Sequence, residues 1–333
     1  MDRIKEIVAD IDNKTPKPIY FLMGDEPYYI DKISQYISDN TLTEDEKGFN
    51  QMVLYGKETN IEEIVANAKR FPMMAERQVV IVKEAQHLSR TIENLTRYAE
   101  NPQPSTVLVF CYKYKKLDKR KKLYKTIQKQ GELYESKKLY ENQVAEWIRR
   151  TLSGKKYAIS PKASALLVEF LGTDLSKIYN ELSKLMAIVP NSAEISPEII
   201  EEHIGFSKDF NNFELKKAVG EKDIVKASRI IDYFSNNPKD NPFVVTIATL
   251  NNFFIQLLQY HGLSDHSPNA VSKTLGVNPY FVKEFAVAAK NYPMKKVSQI
   301  ISGLRELDLK SKGVGAQNIG QADLLKELLI KFS

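Results

Sequence analysis

The stretch Pro18-Ile-Tyr-Phe-Leu-Met-Gly-Asp-Glu-Pro-Tyr-Tyr-Ile-Asp-Lys32 decides how the first part of the chain is read. Ile19 to Met23 is a short apolar run with β-branched and aromatic members, which predicts a buried strand. Gly24 breaks the run. Asp25 or Glu26 then caps a helix, and Pro27 falls in the first turn, where proline is tolerated. Tyr29, Ile30, Ile33 and Ile37 recur at helical spacing behind it.

Strand, glycine turn and helix are the parts with which a P-loop protein holds nucleotide phosphates. The chemistry of that motif is missing here. It requires a glycine, four residues, and then Gly-Lys-Ser/Thr. Counted from Gly24, those last three places hold Tyr29, Ile30 and Asp31, which supply neither a phosphate lysine nor a magnesium hydroxyl. Asp25, Glu26 and Asp31 add negative charge where a phosphate would sit. Taken alone, the stretch also fits an ordinary strand-to-helix turn.

Outward from this point the pattern repeats. Ile4, Ile7, Val8 and Ile11 predict a helix before the strand. Phe49 to Tyr55 reads as a second strand, and Asn60 with Glu63 resembles a capping box for the helix that carries Ile61, Ile64, Val65 and Ala68. Gln78 to Lys83 and Thr106 to Cys111 are continuous apolar strands of the parallel-sheet kind. A helix is expected near 88–100, a basic helix over about 118–130, and a short fifth strand over Glu132 to Ser136. Such alternation implies a parallel sheet covered on both faces.

After residue 140 strand signals nearly vanish. Ser160-Pro161 and Ser196-Pro197 are helix starts. The expected division is an α/β domain over 1–139, a small helical domain over 140–210 with a polar linker at its end (205–212), and an all-helical domain over 211–333. In the last of these, Pro238, Pro242, Pro268, Pro279 and Pro293 mark helix boundaries.

Composition narrows the function. The chain has 333 residues, 43% hydrophobic and 27% charged, with 48 basic against 42 acidic side chains and a net charge of +6. A mildly basic balance permits nucleic acid as a partner without requiring it. The single cysteine, Cys111, lies in an apolar run and reads as a buried small hydrophobe, so no disulfide is expected. No apolar stretch approaches a membrane span, and the charged start is unlike a signal peptide. A reducing cytoplasm is the expected setting. His87, His203, His261 and His266 show no metal-ligand spacing, and no cofactor or metal site is expected.

Three further features carry chemistry. An ATPase follows its third apolar strand with Asp-Glu to organise magnesium; here Val79 to Val82 is followed by Lys83 and Glu84. Both halves of a P-loop site are thus in sequence position and chemically void. Lys113 to Lys125 holds eight basic residues in thirteen, among them Lys115, Lys116, Lys119, Arg120, Lys121 and Lys122. The run reads either as a contact for nucleic-acid phosphate or an acidic partner, or as a solvated helix face. Finally, Phe71-Pro-Met-Met-Ala-Glu-Arg-Gln78 places Met73 and Met74 between a proline and charge. Methionine suits a partner's apolar groove, and it equally fills core gaps.

With these residues in place the chain resembles the delta-subunit family of the bacterial replicative clamp loader, part of the DNA polymerase III holoenzyme. The carriers are Tyr20-Phe-Leu-Met-Gly-Asp-Glu-Pro-Tyr-Tyr29, Arg77-Gln-Val-Val-Ile-Val-Lys83, Leu117-Asp-Lys-Arg-Lys-Lys-Leu-Tyr-Lys125 and the helix with Asp174-Leu175, Asn180-Glu-Leu182 and Leu185. The resemblance implies a degenerate P-loop ATPase-like (AAA+) domain without ATPase activity, a small helical lid and a helical collar for oligomerisation. It also implies a job: binding the sliding clamp (the beta subunit) and opening or holding open its ring for loading onto primed DNA, beside other clamp-loader subunits. Such a chain is not itself expected to be an enzyme, though it belongs to a polymerase holoenzyme. The family's clamp-contacting pair is a Leu-Phe just before Arg-Gln and the third strand. The matching positions here are Met73 and Met74, still large and apolar but without the aromatic. Two other classes remain open on the residues alone. One is a nucleotide-dependent transferase or hydrolase, for which Gly313-Val-Gly315 is the remaining glycine cluster. The other is a free-standing DNA-binding scaffold resting on the lysine run.

Overall fold

In the computed structural model, which describes residues 2–191, 193–205, 209–315 and 319–332, the chain divides into two compact units, 1–139 and 140–333. The first unit opens with α1 (Asp2–Asp12), β1 (Ile19–Gly24), α2 (Pro27–Asn40), α3 (Glu44–Asn50), β2 (Gln51–Tyr55), α4 (Ile61–Ala68) and β3 (Gln78–Lys83). Two 3₁₀ turns (Ala85–Leu88 and Ile92–Leu95) lead to α5 (Thr96–Glu100), β4 (Thr106–Lys113), α6 (Lys122–Gln130) and β5 (Glu132–Ser136).

The five strands form one sheet in the order β2-β3-β4-β1-β5, every pair parallel. Side chains alternate between the two faces, and both faces are covered. Tyr20, Leu22, Val79, Ile81, Val107, Val109 and Cys111 pack under α1 and α2. Ile19, Phe21, Met23, Val80, Val82, Leu108 and Phe110 pack under α4, α5 and α6. Double coverage is why these strands are apolar throughout. It also explains Cys111, which is fully buried, its thiol pushed up to about 11 by the loss of water.

Several expectations need correction, the helix expected near 88–100 among them, since only Thr96–Glu100 of it is α-helical. Phe49 is not in a strand: it lies at the end of α3, a helix started by the Thr43–Glu46 pair, in which the Thr43 N–H donates to the Glu46 carboxylate at 2.9 Å. Glu63 does not close a capping box. Asn60 Oδ1 accepts the Glu63 N–H at 2.9 Å, while the Glu63 carboxylate takes the Thr59 hydroxyl at 2.8 Å. The basic helix starts only at Lys122, because Asp118 folds back onto Arg120 in a turn before it, accepting Nη2 at 2.8 Å and the backbone N–H at 3.0 Å.

The second unit contains α7 (Glu141–Ser153), β6 (Ala158–Ile159), α8 (Pro161–Leu171), α9 (Leu175–Ile188), β7 (Glu194–Ile195) and α10 (Pro197–Ile204). It continues with α11 (Asn212–Glu221), α12 (Ile224–Asn236), α13 (Phe243–His261), α14 (Pro268–Leu275), a 3₁₀ turn (Pro279–Phe281), α15 (Val282–Asn291), α16 (Met294–Ser311) and α17 (Gln321–Phe332). The expected linker falls partly on residues outside those described; Gly205, left-handed at φ 85°, ends α10, and Asn211 caps α11 through the Glu214 N–H. Gly313 and Gly315 take positive φ in the turn after α16, not in a phosphate loop after a strand.

Two contacts tie α8 to α11. The Glu169 carboxylate accepts the Phe213 N–H at 3.0 Å, and Lys162 Nζ lies 2.7 Å from Glu214 Oε1. Helices α11 to α17 share one core around Phe234, Phe253, Phe254, Phe285, Tyr292 and Phe332. By length and composition α13 could cross a membrane, contrary to the reading that no stretch is apolar enough. Its stripe of Phe243, Ile247, Leu250, Phe254 and Leu257 is instead buried in this core.

Candidate functional site

The carboxyl ends of the parallel strands bring together Gly24, Lys83, Lys113 and Ser136, the edge at which such sheets usually bind ligands. Here that edge is closed. The helix after β1 begins at Pro27, so only Asp25 and Glu26 separate strand from helix, and no loop is left to wrap a phosphate. Gly24, at φ 127°, is a glycine because β5 runs against it: a Cβ there would lie 2.1 Å from the Ser136 carbonyl oxygen.

The amides that could cradle an anion are already donating within the fold. Gly24 N–H donates to the Lys115 carbonyl at 3.1 Å and Asp25 N–H to the Ser136 carbonyl at 3.1 Å. Glu26 N–H donates to Ser136 Oγ at 3.3 Å, and Tyr28 N–H to the Glu26 carboxylate at 3.1 Å. Ile30, in the register place of the phosphate lysine, is fully buried beneath the sheet. Tyr29 is half-buried on the same helix.

Lys113, at the end of β4, opens the basic run, but nothing in the sequence pairs it with Asp31 or Glu84. Its Nζ lies 2.9 Å from Asp31 Oδ1 and 3.0 Å from Glu84 Oε1. Burial works against the ammonium, but the two carboxylates outweigh it and raise the Lys113 pKa. For Glu84 burial also opposes the charged form; hydrogen bonds from Gln86 and Lys113 win and hold its carboxyl below the usual range. Lys83 ends β3, half-buried at this same edge. Its carbonyl accepts the Gly56 N–H at 2.8 Å. Lys113 is thus held between two acids at the carboxyl edge of the sheet.

The basic run lies beside this edge and is spent largely on local partners. Lys115 Nζ donates to the Ser89 hydroxyl at 2.7 Å. Lys116 bridges Asp25 at 2.8 Å and Glu135 at 3.1 Å, Lys119 reaches Glu135 at 3.7 Å, and Lys122 pairs with Glu100. Lys121 is exposed and precedes α6. Exposed pairs of this kind are worth about 0–1 kcal/mol, so a phosphate could exchange into them.

Met73 and Met74 are at the opposite edge of the sheet, on the segment between α4 and β3. They fill no core gap: Met73 is 62% exposed and Met74 fully exposed, with Phe71 and Phe49 also exposed. The segment is nevertheless fixed. Gln78 Nε2 donates to the Arg70 carbonyl at 2.6 Å and to Thr106 Oγ1 at 2.8 Å, which ties the end of α4 to β3 and β4. Asn50, the last residue of α3, holds the middle: its Oδ1 accepts the Met73 N–H at 2.6 Å and its Nδ2 donates to the Met73 carbonyl at 2.9 Å. Met74 sits at φ 52°, a conformation uncommon for a side chain of its size. Asn50 carries no signal in the sequence, because its bond spans positions that no local pattern connects.

Among the described residues no group of three histidine, cysteine or acidic side chains could hold a metal. His261 and His266 bond instead to the carbonyls of Tyr292 and Tyr260.

Comparison with known proteins gives two family matches. Residues 20–137 match the family model "DNA polymerase III, delta subunit", and residues 209–330 match "DNA polymerase III delta subunit, C-terminal domain". The DNA polymerase III subunit delta of Bacillus subtilis (strain 168) is 27% identical over 307 residues, covering 89% of this chain and 88% of the relative. A solved structure of the Bacillus subtilis DNA clamp loader delta protein (YqeN) shares the fold with a TM-score of 0.54 at 23% identity, over 99% of each chain. An AAA+-like parallel sheet followed by a helical region, with residues 20–137 and 209–330 matched by the two models of one family, makes this chain a member of the DNA polymerase III delta-subunit family.

Proposed function

We propose that the chain is a non-catalytic clamp-loader subunit that docks on the sliding clamp through Met73 and Met74. Docking opens the clamp ring or holds it open for loading onto primed DNA. The observation that carries this reading is the presentation of two exposed methionines on a segment whose backbone is pinned from both sides. A loop whose backbone is already fixed loses little further main-chain freedom on binding, which helps a small apolar contact act as an anchor.

In this reading the opposite sheet edge needs no nucleotide; ATP is turned over by neighbouring subunits. Residues 1–139 form the clamp-binding domain, 140–210 a lid, and 211–333 a collar that assembles with sister subunits in a hetero-oligomeric ring. Lys115, Lys116, Lys119, Arg120, Lys121 and Lys122 offer exposed, weakly paired charge to DNA phosphate or an acidic neighbour. The setting is the cytoplasm, with no membrane partner. Mixing the purified chain with the organism's sliding clamp tests the whole reading. A complex that survives gel filtration without ATP supports it, and ATP turnover by the isolated chain contradicts it.

A further inference from the structure

Resting on the reading of Met73 and Met74 as the clamp contact, we propose that Asn50 is the positioning residue of that contact. It would hold the loop in the one conformation that presents both methionines. Asn50 is buried, and its amide is used at both ends: Oδ1 takes the Met73 N–H, while Nδ2 donates to the Met73 carbonyl and to the Glu46 carbonyl at 3.1 Å. One side chain thus grips both polar groups of a single residue, as a neighbouring strand would.

The grip has a reason in the next residue. Met74 is held at φ 52°, a left-handed conformation that strains an ordinary side chain and persists only where the surroundings impose it. No packing imposes it here, since Met74 is fully exposed. The main-chain bonds to Asn50 are what hold the preceding peptide. Asparagine suits the task because it is short and carries a donor and an acceptor on one planar group. Aspartate keeps the acceptor but turns an oxygen toward two carbonyl oxygens, and alanine supplies neither.

The test uses the full chain in four forms: unaltered, Asn50→Ala, Met73→Ala with Met74→Ala, and all three changes together. Clamp affinity, thermal unfolding and exchange of the backbone amide at position 73 are measured on each. Asn50→Ala is expected to weaken clamp binding about tenfold, the scale of one or two lost hydrogen bonds, and to speed exchange of the Met73 amide by a similar factor. In the background lacking both methionines it should weaken binding no further, because positioning matters only if there is something to position. Unaltered binding in Asn50→Ala, or an equal loss with and without the methionines, overturns the proposal. If Asn50→Ala does not fold, Asn50→Asp takes its place in the same comparison, and the same two results overturn the proposal. Normal binding by the methionine double variant would instead overturn the clamp-contact reading itself, a result independent of the Asn50 measurement.

Discussion

Lys113 Nζ lies 2.9 Å from Asp31 Oδ1, so the end of β4 is closed onto the second turn of α2. Here the charges of the site neutralise one another, and the loop amides are spent on Ser136 and Lys115.

The chain should therefore bind no ATP, and calorimetry with magnesium should register no heat of binding. Micromolar affinity would contradict this. Rewriting the motif as Tyr29→Gly, Ile30→Lys and Asp31→Thr should not restore binding either. Ile30 is a fully buried core residue, and a lysine there costs on the order of 3 kcal/mol or more of stability.

Glu214 predicts a pH dependence for the second unit. Its carboxylate is almost fully buried between Lys162 and Lys226. Burial alone would raise its pKa, but the two ammonium groups outweigh burial and lower it. The folded pKa thus lies below the unfolded value near 4.5, so the stabilisation is complete above that pH and is lost as pH falls through the folded pKa. Glu214→Gln should cost about 1–2 kcal/mol at neutral pH, less than a fully buried pair because both lysines reach water. It should also flatten the acid limb of a urea-unfolding series. An unchanged acid limb would show that the two lysines are not what lowers Glu214.

The division of labour predicts that residues 1–139 alone bind the clamp and fail to assemble with sister subunits. A cut after residue 210 is a poorer choice, since it strips Lys162 and Glu169 of their partners Glu214 and Phe213. Gel filtration with the partner subunits decides the matter. Entry of the 1–139 fragment into the ring would mean the collar is not the assembly element.

The sheet was legible because burial on both faces leaves strands such as Val79 to Val82 and Val107 to Cys111 without polar interruption, a signal that survives in one dimension. Caps at Asn60 and Ser160 were legible for a similar reason: each acts within three residues. The short helix that holds Phe49 was obscured by an aromatic next to a real strand, although Thr43 and Glu46 mark its start. The basic helix is shorter than its lysines suggest because the Asp118–Arg120 turn overrides their helix preference. At the site, the empty motif at Tyr29, Ile30 and Asp31 could be read directly. What fills it could not, because Lys113 and Ser136 arrive from other strands. Asn50 is the same case at the other edge, a contact made by topology and invisible to spacing.

The most direct test of clamp docking is clamp affinity and thermal unfolding measured together on Met73→Ala with Met74→Ala. Exposed side chains fill no cavity, so the unfolding transition should shift by no more than about 0.5 kcal/mol. Loss of two anchors at an interface centre should weaken clamp binding by about 2 kcal/mol or more, roughly thirtyfold. A variant that binds the clamp as tightly as the unaltered chain would contradict the central claim, whatever its stability.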